Sequence, residues 1–284
     1  MTKKYADFIK RFDEGQIVLI LVLITVVGLT IGLSLISRTI TDIRISSQIE
    51  QSSRAFSAAE AGIETALRGN IAIGPTGTIN LEGASANYKV RQLGGNTDDY
   101  NTPLTEVGSS QTIWLVDHNT DNSINETGYS YPVNSILEIC FGSVPGSDPA
   151  VLVSIFYKGG NEYKVAKKAY DSVSRSNGFM MADVLGGYCE GKFPFRKLII
   201  PSTDADSTTD DFEIDPASIL LFLRLQPIYS ATAFTVSPQS ILPVQGRIID
   251  SIGQTETGVV RKIQVVQGYP VLPALLDFTF FSEN

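Results

Sequence analysis

The chain has 284 residues, with 22 Lys and Arg against 30 Asp and Glu and a formal net charge of −8 at pH 7. An acidic chain without clustered cations argues against a nucleic-acid partner, because neutralising phosphates needs grouped Lys and Arg. A hydrophobic share of 43%, with apolar runs recurring along the chain, argues against disorder.

The first segment, Met1 to Glu14, reads MTKKYADFIKRFDE and carries Lys3, Lys4, Lys10 and Arg11. From Gly15 to Ser37 the sequence GQIVLILVLITVVGLTIGLSLIS has no charged side chain. Roughly 23 residues of this kind cross a hydrocarbon layer of about 30 Å once. A core helix is rarely that long and apolar on every face. The cations before the span, set against Arg38, Arg44 and Arg54 after it, give a small bias toward a cytoplasmic N-terminus. A cleaved secretory signal would have a shorter apolar region followed closely by small residues. Here the run ends in Ser34-Leu35-Ile36-Ser37-Arg38, and Ser57-Ala58-Ala59 comes too late. The expectation is one retained transmembrane helix over 17–37.

Past Arg38 the apolar residues Ile36, Ile40, Ile43, Ile49, Phe56, Ile63 and Leu67 fall mostly three, four or seven apart, which predicts one face of a continuing helix. No Pro interrupts Gln16 to Arg68, and Gly69-Asn70 supplies a stop. A helix over 16–68 would be about 80 Å long at about 1.5 Å per residue. Ala58, Ala59, Ala61 and Gly62 form a small-residue face that lets another backbone or sheet come close.

Two stretches carry a family resemblance. Asp13-Glu14-Gly15-Gln16 before Ile17-Val18-Leu19-Ile20 resembles the prepilin peptidase site of type IV pilins and type II secretion pseudopilins. The resemblance implies a leader over 1–15, cleavage between Gly15 and Gln16, and methylation of the new N-terminus. A residue without a Cβ suits close approach by a protease. Ala55-Phe56-Ser57-Ala58-Ala59-Glu60-Ala61-Gly62 is similar to a run found in minor pilins of the PilX type and pseudopilins of the K type. The family usually places a glutamate at the fifth mature position, where this chain has Ile20. An apolar residue there fits a tip or initiating subunit, which has no neighbouring amine above it to neutralise. The resemblance implies that Ile20, Phe56, Ala58, Ala59, Glu60 and Gly62 pack in a filament. It also implies partners: other pilins or pseudopilins, the prepilin peptidase, an inner-membrane assembly machinery and the lipid bilayer.

After Gly69 the helical period gives way to short apolar runs between Gly, Asn, Asp, Ser and Pro clusters, the pattern of strands and turns. Strands are expected over Asn87–Gln92, Thr112–Val116, Ser135–Phe141, Ala150–Tyr157 and Tyr163–Asp171. Five more are expected over Phe195–Ile200, Ser218–Gln226, Thr232–Val236, Gly246–Asp250 and Val259–Val266. The runs VLVSIFY and EYKVAKKAY around Lys158-Gly159-Gly160-Asn161 predict a hairpin, as do RIIDSI and VVRKIQVV. SILLFLRLQPI reads as a central strand buried on both faces. LLDFTFFS reads as a last strand or short helix, whose Phe278, Phe280 and Phe281 should dock on the head. The fold class is therefore α+β: a long N-terminal helix and a β-rich head over 69–284, which either divides near 173–187, where SVSRSNG and two Gly loosen the chain, or forms one continuous sheet domain.

Cys140 and Cys189 are the two cysteines. In an extracytoplasmic head they suit one disulfide, with two thiols as the alternative. Two Cys and one His do not supply a structural zinc site. In Asp117-His118-Asn119-Thr120-Asp121-Asn122-Ser123-Ile124-Asn125-Glu126, Asp117, Asn119, Asp121 and Glu126 match part of a calcium loop. Asn122 stands where Gly is usual and Gly128 where the bidentate Glu belongs, so a polar hairpin loop is the better-supported reading. Pseudopilins of the K type resemble calcium binders, which keeps the cation in view. Asp204, Asp206, Asp210 and Asp211 form a second acidic cluster with less pattern.

No nucleotide loop, nucleophile elbow or zinc-protease motif is present, and the one histidine, His118, sits in a turn. Glu138, Glu162 and Glu190 are scattered carboxylates, for which solvation is the default. The expectation is a non-enzymatic minor pilin or pseudopilin, without a cofactor other than that calcium, that starts or caps a filament. Its counterpart is a membrane-anchored adhesin or ligand-binding protein that stays in the bilayer.

Overall fold

The computed structural model describes residues 3–69, 73, 74, 76–184, 188–203, 210–271 and 273, with side chains from 17 onward except those of 188 and 190. The chain forms two compact units. One comprises Met1–Arg68, Gly77–Tyr88 and Ser251–Ile263; the other comprises Gly69–Thr76, Lys89–Asp250 and Gln264–Asn284. The fold is α+β, as expected, with one long N-terminal helix and a β-rich remainder in several sheets.

Helix α1, Lys3–Arg68, has 66 residues and so runs about 99 Å. It starts earlier than the expected Gln16 and takes in the basic segment. Its end at Arg68 agrees with the stop at Gly69; Asn70 lies outside the described residues. The four-stranded sheet has the order β1-β2-β13-β14, from β1 (Thr76–Leu81), β2 (Ala84–Gly94), β13 (Val244–Thr255) and β14 (Val260–Gly268). Strand β1 was not expected, because TGTINL holds only two large apolar residues and neither is buried.

In the first unit the helix meets the sheet through small residues. Ala55, Ala58, Ala59 and Ala66 are 0% exposed and Ile63 is 7% exposed, at spacings of three and four that keep to one face. Ala58 packs with Ala84 and Ala86 of β2. A Cβ built at Gly253 of β13 would collide with the Ala55 carbonyl oxygen and the Ala59 amide nitrogen, and one at Gly62 with the Ser251 hydroxyl. The expected stripe Ile36, Ile40, Ile43, Ile49 and Phe56 is instead exposed. Backbone-to-backbone approach selects the face without bulk, and only Ile63 and Leu67 of that stripe are even partly covered.

The second unit holds two five-stranded sheets. One has the order β4-β11-β6-β7-β8, with β4 (Gln111–Trp114), β6 (Ala150–Gly159), β7 (Glu162–Asp171), β8 (Met180–Met181) and β11 (Ile219–Ile228). The other has the order β10-β9-β5-β12-β3, with β3 (Tyr100–Asn101), β5 (Leu137–Phe141), β9 (Phe195–Ile200), β10 (Asp210–Asp211) and β12 (Thr235–Pro238). The sheets share one apolar core, including Ile139, Ile199 and Val236 from one and Val153, Ile155, Leu223 and Leu225 from the other. The β6–β7 hairpin forms as expected, closing at Gly159 opposite Glu162. Strand β11 is paired on both edges, by β4 and β6. The β13–β14 hairpin forms with Thr255 donating to the Val259 carbonyl at 3.0 Å. Strand β12 begins at Thr235 and not Thr232, whose backbone forms an isolated antiparallel bridge with Thr105. The segment LLDFTFFS, with its three Phe, lies outside the described residues.

The described residues on both sides of 173–187 belong to the second unit. Asp171, 1% exposed, explains this. Its carboxylate pairs with Arg175 and accepts from Asn177 Nδ2 at 2.8 Å and the Val173 amide at 3.2 Å. The Asp171 carbonyl accepts from Ala182 at 2.9 Å, and Asp183 pairs backbone to backbone with Arg196 of β9. A Ser- and Gly-rich stretch is thereby stitched to two strands. Residues 185–187 lie outside the described ones.

Gly253→Ala is expected to lower stability by about 1–3 kcal/mol, the usual cost of overpacking, because the new methyl meets helix backbone that cannot swing aside. Denaturant unfolding read by circular dichroism measures it; Gly159→Ala is the control, since a Cβ there makes only ordinary contacts of 3.5 Å or more and its φ is not positive.

Candidate functional site

The surface that asks for a partner is helix α1. Ile17, Leu19, Leu21, Leu23 and Ile24 are each at least 60% exposed, and large apolar side chains stay exposed as far as Ile49. Each large aliphatic side chain taken out of water is worth about 1.5–3 kcal/mol, so so long an uncovered run needs an apolar surrounding. Ile17–Arg68 is the one candidate span among the described residues. Its polar groups are prepared for that surrounding. The Thr25 hydroxyl donates to the Leu21 carbonyl, Thr30 to Val27 at 2.8 Å, Thr39 to Leu35 at 3.0 Å and Thr41 to Ser37 at 2.9 Å. A hydroxyl bonded to its own helix needs no water.

Of the six residues expected at filament contacts, Ala58 and Ala59 are fully buried and Gly62 lies against Ser251. The close approach that the small-residue face allows is taken, in this chain, by its own sheet. Ile20, Phe56 and Glu60 remain exposed. Ala55 and Ala66 belong to the covered face and were not singled out by sequence. Gly253 was not either; its signal is a glycine inside a strand, which marks close backbone approach. Beside this face Arg261 Nε donates to Ser52 at 2.9 Å and Thr257 to Gln51 at 3.1 Å. The Glu50–Arg54 and Glu64–Arg68 pairs are at least half exposed and add little. Gly15 and Gln16 lie within the helix, with side chains outside the described set.

Cys140 and Cys189 form a disulfide, with Cα atoms 6.3 Å apart, joining β5 to helix α2 (Tyr188–Gly191). Glu138 is close to both sulfurs, the sole group of three metal-capable residues among those described. With both sulfurs bonded to each other, that group is not a ligand set. Glu138 faces Arg196 at 3.4 Å and Glu162 faces Lys164 at 3.1 Å; the Glu190 side chain lies outside the described set. Asp210 and Asp211 meet Lys168 at 2.5 and 3.7 Å, and Asp204 and Asp206 are outside the described residues.

The loop expected as a partial calcium site does not gather its oxygens. Asp121 Oδ1 accepts from the Ser123 amide at 2.9 Å and its hydroxyl at 2.6 Å. Asn119 Nδ2 donates to Ser123 Oγ at 2.9 Å. Glu126 is drawn to Lys158 at 2.5 Å and to the Tyr163 hydroxyl at 2.6 Å. Asn122 takes the left-handed turn with φ 66°, and His118 bridges to Ile124. Asn119, Asp121 and Glu126 are thus taken up by partners within the chain. Hydrogen bonds from Ser123 hold the Asp121 carboxyl below its ordinary range, and Lys158 followed by Tyr163 does so for Glu126. Melting with and without a calcium chelator is expected to give the same midpoint.

His118 lies in this loop with its ring stacked on Tyr269, centroids 3.7 Å apart, and edge-on to Trp114 at 4.4 Å. Burial lowers its pKa below the ordinary 6.5, against the opposing pull of Asp117. The unfolded chain then takes up a proton before the folded chain does. Stability is therefore present above the ordinary value and is lost as pH falls through it. With one His in the chain, the melting temperature is expected to fall between pH 7.5 and 5.5, and His118→Phe is expected to flatten that slope.

Comparison with protein-family models, curated proteins and solved structures finds no match to this chain.

Proposed function

We propose that the chain is a non-catalytic, membrane-anchored subunit of a type IV pilin-like filament, in a position that starts or caps assembly. The observation that carries this reading is the uncovered apolar surface of α1 from Ile17 to Ile49, on a helix whose distal part is fixed to its own sheet. The mechanism is one of exchange. In the bilayer the rod is covered by lipid chains. In a filament the same side chains are covered by neighbouring helices, so extraction from the membrane costs little net apolar exposure. Cleavage between Gly15 and Gln16 by a prepilin peptidase would remove the basic segment, leaving the N-terminus at the cytoplasmic side and the head outside. Ile20 presents no carboxylate to a neighbour's amine, which suits a subunit with nothing above it. Other pilins or pseudopilins and an inner-membrane assembly machinery are the partners this requires. Neither a metal nor a nucleic acid enters the mechanism.

One observation favours a second reading. Ala58, Ala59 and Gly62 are covered within the chain, which removes half of the residues expected at filament contacts. A membrane-anchored adhesin or ligand-binding protein that stays in the bilayer uses the same helix as an anchor only.

Two measurements separate these readings. Mass spectrometry of the protein from its native membrane is expected to find a mature N-terminus at Gln16, and the sheared surface fraction is expected to contain the chain. An N-terminus at Met1 with all of the chain in the membrane pellet overturns the filament reading.

A further inference from the structure

In the second unit, between β3, β4 and β14, lies an open groove of about 550 Å³. Among the described residues its lining contains no charged side chain, on a chain of net charge −8. Tyr100 and Tyr269 contribute aromatic surface, and Ser109, Ser110 and Gln111 contribute hydroxyl and amide groups. The floor is fixed: Gln245, 3% exposed, accepts from the Trp114 amide at 2.7 Å and donates to the Trp114 carbonyl at 2.8 Å. Tyr269 is set in place by its stack on His118.

The polar groups on this lining are not used up by the fold. Among the described residues no hydrogen bond engages the Tyr100 or Tyr269 hydroxyl or the side-chain hydroxyls of Ser109 and Ser110. Gln111 donates its amide to Thr105 Oγ1 at 2.9 Å, which leaves its amide oxygen able to accept. Four hydroxyls and one amide oxygen thus stand beside aromatic faces, with no ionic group on the described lining. Groups that both donate and accept complement a ligand that does the same. Aromatic rings with a polar tip pack against an apolar surface while keeping a hydrogen bond. A neutral sugar ring has both features: hydroxyls around its edge and C–H groups on its face. Arg224, which donates to Thr112 Oγ1 at 3.3 Å, is 3% exposed and is not part of the described lining, and a purely apolar ligand would strand the hydroxyls.

We infer that this groove binds neutral saccharides. The inference does not depend on whether the chain enters a filament.

The chain's single tryptophan, Trp114, lines the groove and reports on it directly. The full-length protein, held in a detergent without a sugar headgroup, is titrated with neutral oligosaccharides (gluco-, manno-, galacto- and N-acetylglucosamine series), with oligogalacturonate as the anionic control. At least one neutral series is expected to give a saturable change in Trp114 emission, and the control none. Tyr100→Ala is expected to weaken that binding tenfold or more, and Tyr100→Phe, which keeps the ring's packing, to weaken it severalfold. A flat response to every neutral series overturns the inference, as does binding unchanged in both Tyr100 variants. A response that appears only when residues 274–284 are deleted assigns the groove to the chain's own C-terminal segment and overturns it too.

Discussion

The packing in the first unit rests on a backbone contact that leaves no room for one carbon atom. Strand β13 and helix α1 approach at Gly253 until a Cβ there would strike the Ala55 carbonyl and the Ala59 amide. Contacts this close recruit alanine and glycine on the helix side, and Ala55, Ala58, Ala59, Gly62 and Ala66 answer that need. The bulky residues of α1 are consequently turned elsewhere. Exposure of Ile40, Ile43, Ile49 and Phe56 follows from which face the sheet selected. A helix anchored by small residues keeps its large ones for another surface, and that separation of roles is what the proposed function uses.

In the second unit the load is carried differently. Two sheets bury a shared aliphatic and aromatic core, and polar groups are spent on holding loops to it. Asp171 is the densest example, a nearly unexposed carboxylate satisfied by Arg175, Asn177 and a backbone amide. Removing such partners would leave a buried charge uncompensated, which is far costlier than losing a surface pair. Arg224 in the middle of β11 is similarly enclosed, with its guanidinium over Phe222 at 5.4 Å and Phe156 at 5.7 Å. The hairpin 117–126 follows the same economy: Asp121 and Glu126 are answered by serine, lysine and tyrosine within the chain.

Against this background the groove beside Tyr100 and Tyr269 stands out for what is left over. Among the described residues the Tyr100, Tyr269, Ser109 and Ser110 hydroxyls there have no partner within the chain. The same chain thus offers two unlike surfaces, one suited to hydrocarbon and one to hydroxylated ligands.

The apolar run from Ile17 and the absence of Pro through Arg68 settled the long helix by local chemistry alone. Two hairpins and the doubly paired β11 were legible because runs of Val, Ile, Leu and Phe between Gly and Asn clusters encode strands and turns within a few residues of each other. Strand β1 was not, since TGTINL owes its strand to a neighbour and not to its own side chains. Two cysteines suited a bridge, but their proximity depended on β5 and α2 meeting across 49 residues. The helix face that packs, the stitching of 173–184 by Asp171, the turning of Glu126 away from Asp121 and the uncharged groove are all products of tertiary contact. Each depends on residues far apart in the chain, where spacing carries no information, and on the competition among partners that only three-dimensional proximity resolves.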